Sequence, residues 1–367
     1  MKRVLFLLLL FLISLSPVLL LTSCDKDDTT IPVAKAETAG LWALSEGNWG
    51  SGDGQLAYFD YNSDSNKFVR DNNRRLPNFG DTPNDMLLYG AKLYVAITGS
   101  DAASALLKVV NPATGTTIRD VIITDASSAR QQPRRLTAYN GQVYASLYGG
   151  GIARLDTATF TFDAIALSGS WSEGIAEYGG ALYVCNSGLP GEAYGGNGNT
   201  ISKVDAATFS ETAVITTPVA NPVNIVSAGN GELYFNTGGD YFSTGGEVHV
   251  LNTATGAITS LGVAATTIAF GNDCIYAAGY DWLASAEYDV TKIAIADKTV
   301  SNFITAAELD GINAMFTYKL AVDAATGEVF LTQQMGEDIY RFKKDGTYIE
   351  TLKTGQQNGA AIAFIRP

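Results

Sequence analysis

At 367 residues the chain has length enough for two or three domains, and 46% hydrophobic against 17% charged residues is the balance of a chain that folds. Its 38 glycines and 18 tyrosines fit a β protein built from short strands and many turns. The formal net charge of −13 argues against nucleic acid as a partner, because an acidic surface repels phosphates.

The first segment, residues 1–23, reads as a leader. Lys2-Arg3 forms a positive start and Val4–Leu20 an apolar run. Leu21-Thr22-Ser23-Cys24 then resembles a bacterial lipobox, in which the Cys24 thiol is acylated and becomes the first mature residue. A permanent membrane helix is the competing reading, since the run is about long enough; Pro17 interrupts it. Acylation would hold the protein on a membrane through the burial of its chains. Residues 24–38 are polar and lack apolar periodicity, which predicts a flexible tether. The cluster Asp25-Lys26-Asp27-Asp28 resembles the acidic export signal of Bacteroidetes surface lipoproteins, or is simply a hydrophilic linker.

From residue 39 to 367 the chain repeats. The clearest copy is Pro133–Leu167. An apolar strand, Leu136–Tyr139, ends at the hairpin signal Asn140-Gly141. Gln142–Leu147, Ile152–Asp156 and Phe160–Leu167 follow as second, third and fourth strands, labelled b, c and d after the first, a. The b strand recurs around Tyr94, Tyr144, Tyr183, Tyr234, Tyr276 and Phe330, at spacings from 39 (Tyr144 to Tyr183) to 54 residues (Tyr276 to Phe330). The turn after c recurs as Asn111–Gly115, Asp156–Thr159, Asp205–Thr208 and Asn252–Gly256. Four strands at this period predict an all-β, seven-bladed β-propeller. Leu41–Leu44, Gln55–Tyr61 and Lys67–Arg70 supply b, c and d of a blade with no a strand before it, and Ala360–Ile365 is a terminal strand with no b strand after it. Pairing the two closes the ring and hides its edges.

Loops between b and c strands should share one face with the d–a loops. They carry Asn48 and Trp49, Tyr148, Tyr194, Tyr241 and Trp282, and the d–a loops add Phe79 and Trp171. Exposed aromatics on one face suit a large, partly apolar ligand or a protein partner, though some should pack between blades. Residues at the start of the a strands line the channel mouth: Asn84-Asp85, Arg134-Arg135, Glu173, Asn224, Thr266-Thr267, Lys319 and Asn358. Asp85, Glu173, Asn224 and Asn358 could imitate the cation ring of calcium-dependent propeller hydrolases, but Arg134, Arg135 and Lys319 in the same ring would oppose a cation, and a salt-bridged ring is the simpler reading. The expected ligand contacts are therefore Asn48, Trp49, Arg134, Tyr148, Trp171, Tyr194, Tyr241 and Trp282, with no catalytic residue, metal or cofactor. His249 is the only histidine, and Cys185 and Cys274 lie in different blades, too far apart to pair and both expected to be buried.

Ser45-Glu46-Gly47-Asn48-Trp49-Gly50 followed by Gly80-Asp81-Thr82-Pro83-Asn84-Asp85 resembles the opening of Bacteroidetes surface lipoproteins of the YncE-like propeller type. Some members of that group are similar to corrinoid-capture lipoproteins that sit over an outer-membrane cobalamin transporter. The resemblance implies an outer-membrane, cell-surface protein that captures a large ligand, a corrinoid foremost, and passes it to a transporter. A scaffold for protein or glycan partners is the alternative, and a calcium-dependent lactonase or lyase the third reading.

Overall fold

The computed structural model describes residues 37–188, 197–240 and 245–367. The leader and tether, Cys24 among them, lie outside the described residues, as do Tyr194 and Tyr241.

Seven four-stranded antiparallel sheets account for nearly all of the regular structure. Blade two is Pro83–Tyr89, Lys92–Ile97, Leu106–Val110 and Thr117–Val121; blade three is Pro133–Tyr139, Gln142–Leu147, Gly151–Asp156 and Phe162–Ala166. Blades four to seven begin at Ser170–Tyr178, Pro222–Ser227, Thr267–Gly271 and Thr317–Val322 and follow the same meander. Blade one is composite. Gly40–Ser45 pairs with Gln55–Asn62 on one side and with the C-terminal Gly359–Ile365 on the other, in a register running from Gly40 opposite Ile365 to Ser45 opposite Gly359. The expected closure is thus present, with each terminal strand a residue longer at its start than the sequence suggests.

Each interface between neighbouring blades is a core of its own. The b-strand aromatics fill these cores: Tyr94, Tyr144, Tyr183, Tyr234, Tyr276 and Phe330 are all buried. Trp42 occupies the same position in blade one and was not recognised in the sequence, because a Trp breaks the Tyr pattern; its indole donates to the Pro112 carbonyl at 2.8 Å, in the turn of blade two. Burial fades outward, so the fourth strand of blade two is exposed over Thr117–Asp120. The recurrent Asp and Asn turns are held by their own side chains, as where Asp156 Oδ1 accepts the Thr159 amide at 2.7 Å, which lowers that carboxyl to about 2.

Two features were not foreseen. A short helix, Ala306–Gly311, links blades six and seven, and it opens with a capping box between Thr305 and Glu308 that the Thr-x-x-Glu spacing could have revealed. The b–c loop of blade six folds back as a small hairpin, Tyr280–Asp281 with Ala286–Glu287. Cys185 and Cys274 are buried free thiols, as expected.

Candidate functional site

The a strands of all seven blades surround a central channel of about 230 Å³. Above it, on the b–c loop face, lies a cleft of about 340 Å³. Arg135 and Lys319 line both spaces and so form the floor between them.

That floor is a network of side chains set at the start of the a strands, joined by Glu46 from the b–c loop of blade one. Arg134 pairs with Glu173 at 2.5 Å and donates to Asn84 Oδ1 at 2.9 Å. Asn84 in turn donates to Glu46 at 2.8 Å, and the Tyr318 hydroxyl donates to the same carboxylate oxygen at 2.7 Å. Arg135 donates to the Asn84 carbonyl, and Asp85 accepts the Leu136 amide at 2.8 Å. Burial pushes the Glu46 and Asp85 carboxyls and the Tyr318 hydroxyl upward. Arg134 is shifted up despite its burial by the Glu173 carboxylate. Lys319 goes the other way, down to about 7, first from desolvation and then from the positive charge of Arg135.

The ring expected at the channel mouth is therefore real, and it is organised by internal pairing. Glu173 is committed to Arg134, and Asn224 bridges Asn236 at 2.8 Å and the Thr266 carbonyl at 3.1 Å. Asn358 departs from expectation: it is not part of the channel lining, and its Oδ1 accepts the Met335 amide at 2.7 Å while its Nδ2 donates to the Gly47 carbonyl at 3.0 Å, fastening two loops. Among the described residues no three His, Cys, Asp or Glu side chains gather to hold a metal ion.

Of the expected ligand contacts, three come together. The Arg134 guanidinium lies 4.6 Å from the Tyr148 ring centre, and Tyr148 meets Trp171 edge-on at 4.7 Å. Trp171 has a positive φ of 52° and lies across Gly188, where a β-carbon would fall 1.7 Å from its ring. Trp282 sits elsewhere around the cleft, in a second aromatic group with Tyr280 at 4.8 Å and Phe316 at 6.0 Å. Arg134 of the first group and Tyr280 and Trp282 of the second line the cleft, whereas Tyr148, Trp171 and Phe316 do not.

Asn48 and Trp49 are a separate case. Asn48 donates to Asp53 of its own loop at 2.8 Å and accepts from Gln357 near the C-terminus at 2.7 Å, so both ends of its amide are used within the protein. That loop is tied down further by Asp81, which accepts the Gly50 amide at 3.0 Å. The two motif segments beginning at Ser45 and Gly80 thus form one hydrogen-bonded unit, and Trp49 stands on it 63% exposed. Phe79 packs in the core between blades one and two. The sequence reading missed Tyr280's partner Phe316, and it missed Tyr318, because neither lies in a b–c loop and only the closed ring brings them over the channel.

No protein-family model matches the sequence, and no curated protein matches it. Solved structures do. A chain of the crystal structure of the mitotic checkpoint complex is 10% identical, covering 76% of this chain and 81% of its own at a TM-score of 0.59. The Neurospora crassa Pan2 WD40 domain is also 10% identical, over 71% and 75% at 0.52. A chain of Kuenenia stuttgartiensis hydrazine synthase is 15% identical, over 78% and 95% at 0.59. What is shared is the propeller fold. At these identities the likeness carries nothing about ligand or chemistry.

Proposed function

We propose that the protein is a non-catalytic capture protein, anchored at the cell surface through an acylated Cys24, that takes a large ligand on its b–c loop face and hands it to an outer-membrane transporter. The observation that carries this reading is the cleft above the channel floor, lined by Arg134, Arg135 and Lys319 together with Tyr280, Trp282 and Tyr318. Aromatic rings held on a rigid frame lose little freedom on binding, so contact area converts efficiently into affinity. A corrinoid is the ligand that the lipoprotein resemblance singles out. Calorimetry of cyanocobalamin with the purified chain tests it. Heat of binding that disappears in Trp282→Ala supports the reading, and no heat at micromolar concentration rejects the corrinoid. Acylation is tested by radiolabelled palmitate, which Cys24→Ala should fail to incorporate.

Docking of a protein partner is the second reading, and one observation favours it. Trp49, Met335 and Leu283 are 63%, 58% and 53% exposed on b–c loops of the adjacent blades one, seven and six. Large apolar side chains displayed along one arc suit a protein surface, including that of the transporter.

A further inference from the structure

The cations of the cleft floor differ in how directly they are paired. Of its three cations, Arg134 has a carboxylate, Glu173. Among the described residues Arg135 and Lys319 form no ion pair, and Arg135 Nε is a buried donor without a partner. The Glu46 and Asp85 carboxyls nearby are occupied by Tyr318, Asn84 and backbone amides. Asp281, the acidic residue on the cleft wall, accepts the Leu283 and Ala284 amides of its own turn, each at 2.9 Å. Glu46, Asp85 and Glu173 act on Arg135 and Lys319 through charge at a distance, so neither cation is engaged by a carboxylate directly and the buried Arg135 Nε is left as a donor. Beside them Trp282 is 54% exposed, with one face against Phe316.

We propose that this cleft binds an oxyanion carried on a flat apolar ring, the carboxylate or phosphate meeting Arg135 and Lys319 and the ring lying against Trp282. The proposal rests on the capture reading and narrows it to a ligand class. Charge-assisted hydrogen bonds are among the strong ones, and an ionised donor pair selects anions over neutral isosteres. A volume of about 340 Å³ suits a compound of one to three rings. Lys319 is faced by Arg134, Arg135, Glu46, Asp85, Glu173 and Tyr318, and its ammonium titrates near neutrality. Raising the pH therefore removes a positive charge from the floor, and affinity for an anion falls.

Calorimetric titration of the full chain with 1-naphthoate, 1-naphthyl phosphate and uncharged 1-naphthol tests this. At least one anion should bind about tenfold more tightly than naphthol, and which of the two is preferred separates carboxylate from phosphate. Naphthoate stays ionised throughout, so its affinity should fall severalfold between pH about 6 and about 8.5 as Lys319 loses its proton. Lys319→Met should erase the anion preference and leave naphthol unchanged, whereas Lys319→Arg should keep the preference and lose the pH dependence. Equal binding of naphthol and naphthoate, or an unaltered preference in Lys319→Met, overturns the oxyanion assignment. If naphthol binding is then lost in Trp282→Ala, capture on this face survives. Silence of all three probes at millimolar concentration overturns the assignment, and leaves the corrinoid to its own titration.

Discussion

Arg341 is the most buried cation in the described chain and the best satisfied. It is 1% exposed, grips Glu328 through two bonds of 2.8 and 2.9 Å, reaches Glu350 at 2.8 Å, and donates to the Asn66 carbonyl of blade one at 2.9 Å. Removing it leaves two largely buried carboxylates facing each other. Arg341→Ala should cost about 3–5 kcal/mol, read as a lower midpoint in urea. His249 presents the opposite case. It is buried, stacks on Phe235 at 5.0 Å and has no hydrogen bond to either ring nitrogen; Glu247 stands 3.4 Å away. Desolvation holds its pKa below the ordinary 6.5. The unfolded chain then binds a proton where the folded chain does not, so the stability from a neutral His249 is full above 6.5 and is lost as the pH falls below it. Comparing melts of wild type and His249→Phe from pH about 8 to about 5 should show a steeper acid loss in the wild type; parallel curves would refute this. The same substitution keeps the stack on Phe235, so it isolates the proton.

The terminal strand Gly359–Ile365 is the element on which the ring depends. It is the innermost strand of blade one and packs against the first strand of blade two. Deleting Gly359–Pro367 exposes the edge of Gly40–Ser45 and strips one wall from two inter-blade cores. The cost should be comparable with the whole stability of an ordinary domain, about 5–15 kcal/mol. A truncated protein that melts at the full-length temperature would contradict it. Elements of this kind were legible in the sequence because each is announced locally: an Asn-Gly or Asp-x-x-Thr turn, then a b strand with one large aromatic. The site was legible only in part. Tyr148, Trp171 and Arg134 could be placed on this face because each belongs to a loop or strand start whose position in the repeat is known. Asn48 was read as free to meet a ligand because nothing in its own segment announces Gln357, which arrives from the far end of the chain. Arg135 and Lys319 were legible at the channel mouth from their place in the repeat, whereas Glu46 comes from the b–c loop of blade one and reaches Asn84 and Tyr318 only when the ring closes.

For the whole molecule, closure within a blade means that the order of blades around the ring matters more than where the chain is cut. Joining residue 367 to residue 37 by a short Gly-Ser linker and opening the chain at Asn230-Gly231 places the new ends between the first two strands of blade five. That reproduces in blade five the composite arrangement now found in blade one. The permuted protein should fold and melt within about 5 °C of the parent, measured by circular dichroism. Failure to fold would show that the native seam is needed in its present place.

The seam also has a mechanical character. Because Gly40 lies opposite Ile365, the two ends of the chain leave blade one at the same end of the paired strands. Force applied between them loads the ladder one rung at a time, the unzipping geometry, in which an antiparallel pair resists least. A latch stands where peeling would start: Thr38 and Arg366, just outside the two strands, both hold the buried Asp323 of blade seven, Arg366 at 2.7 Å. Tension on this propeller is met first by one carboxylate, and only after it yields does the ring begin to open.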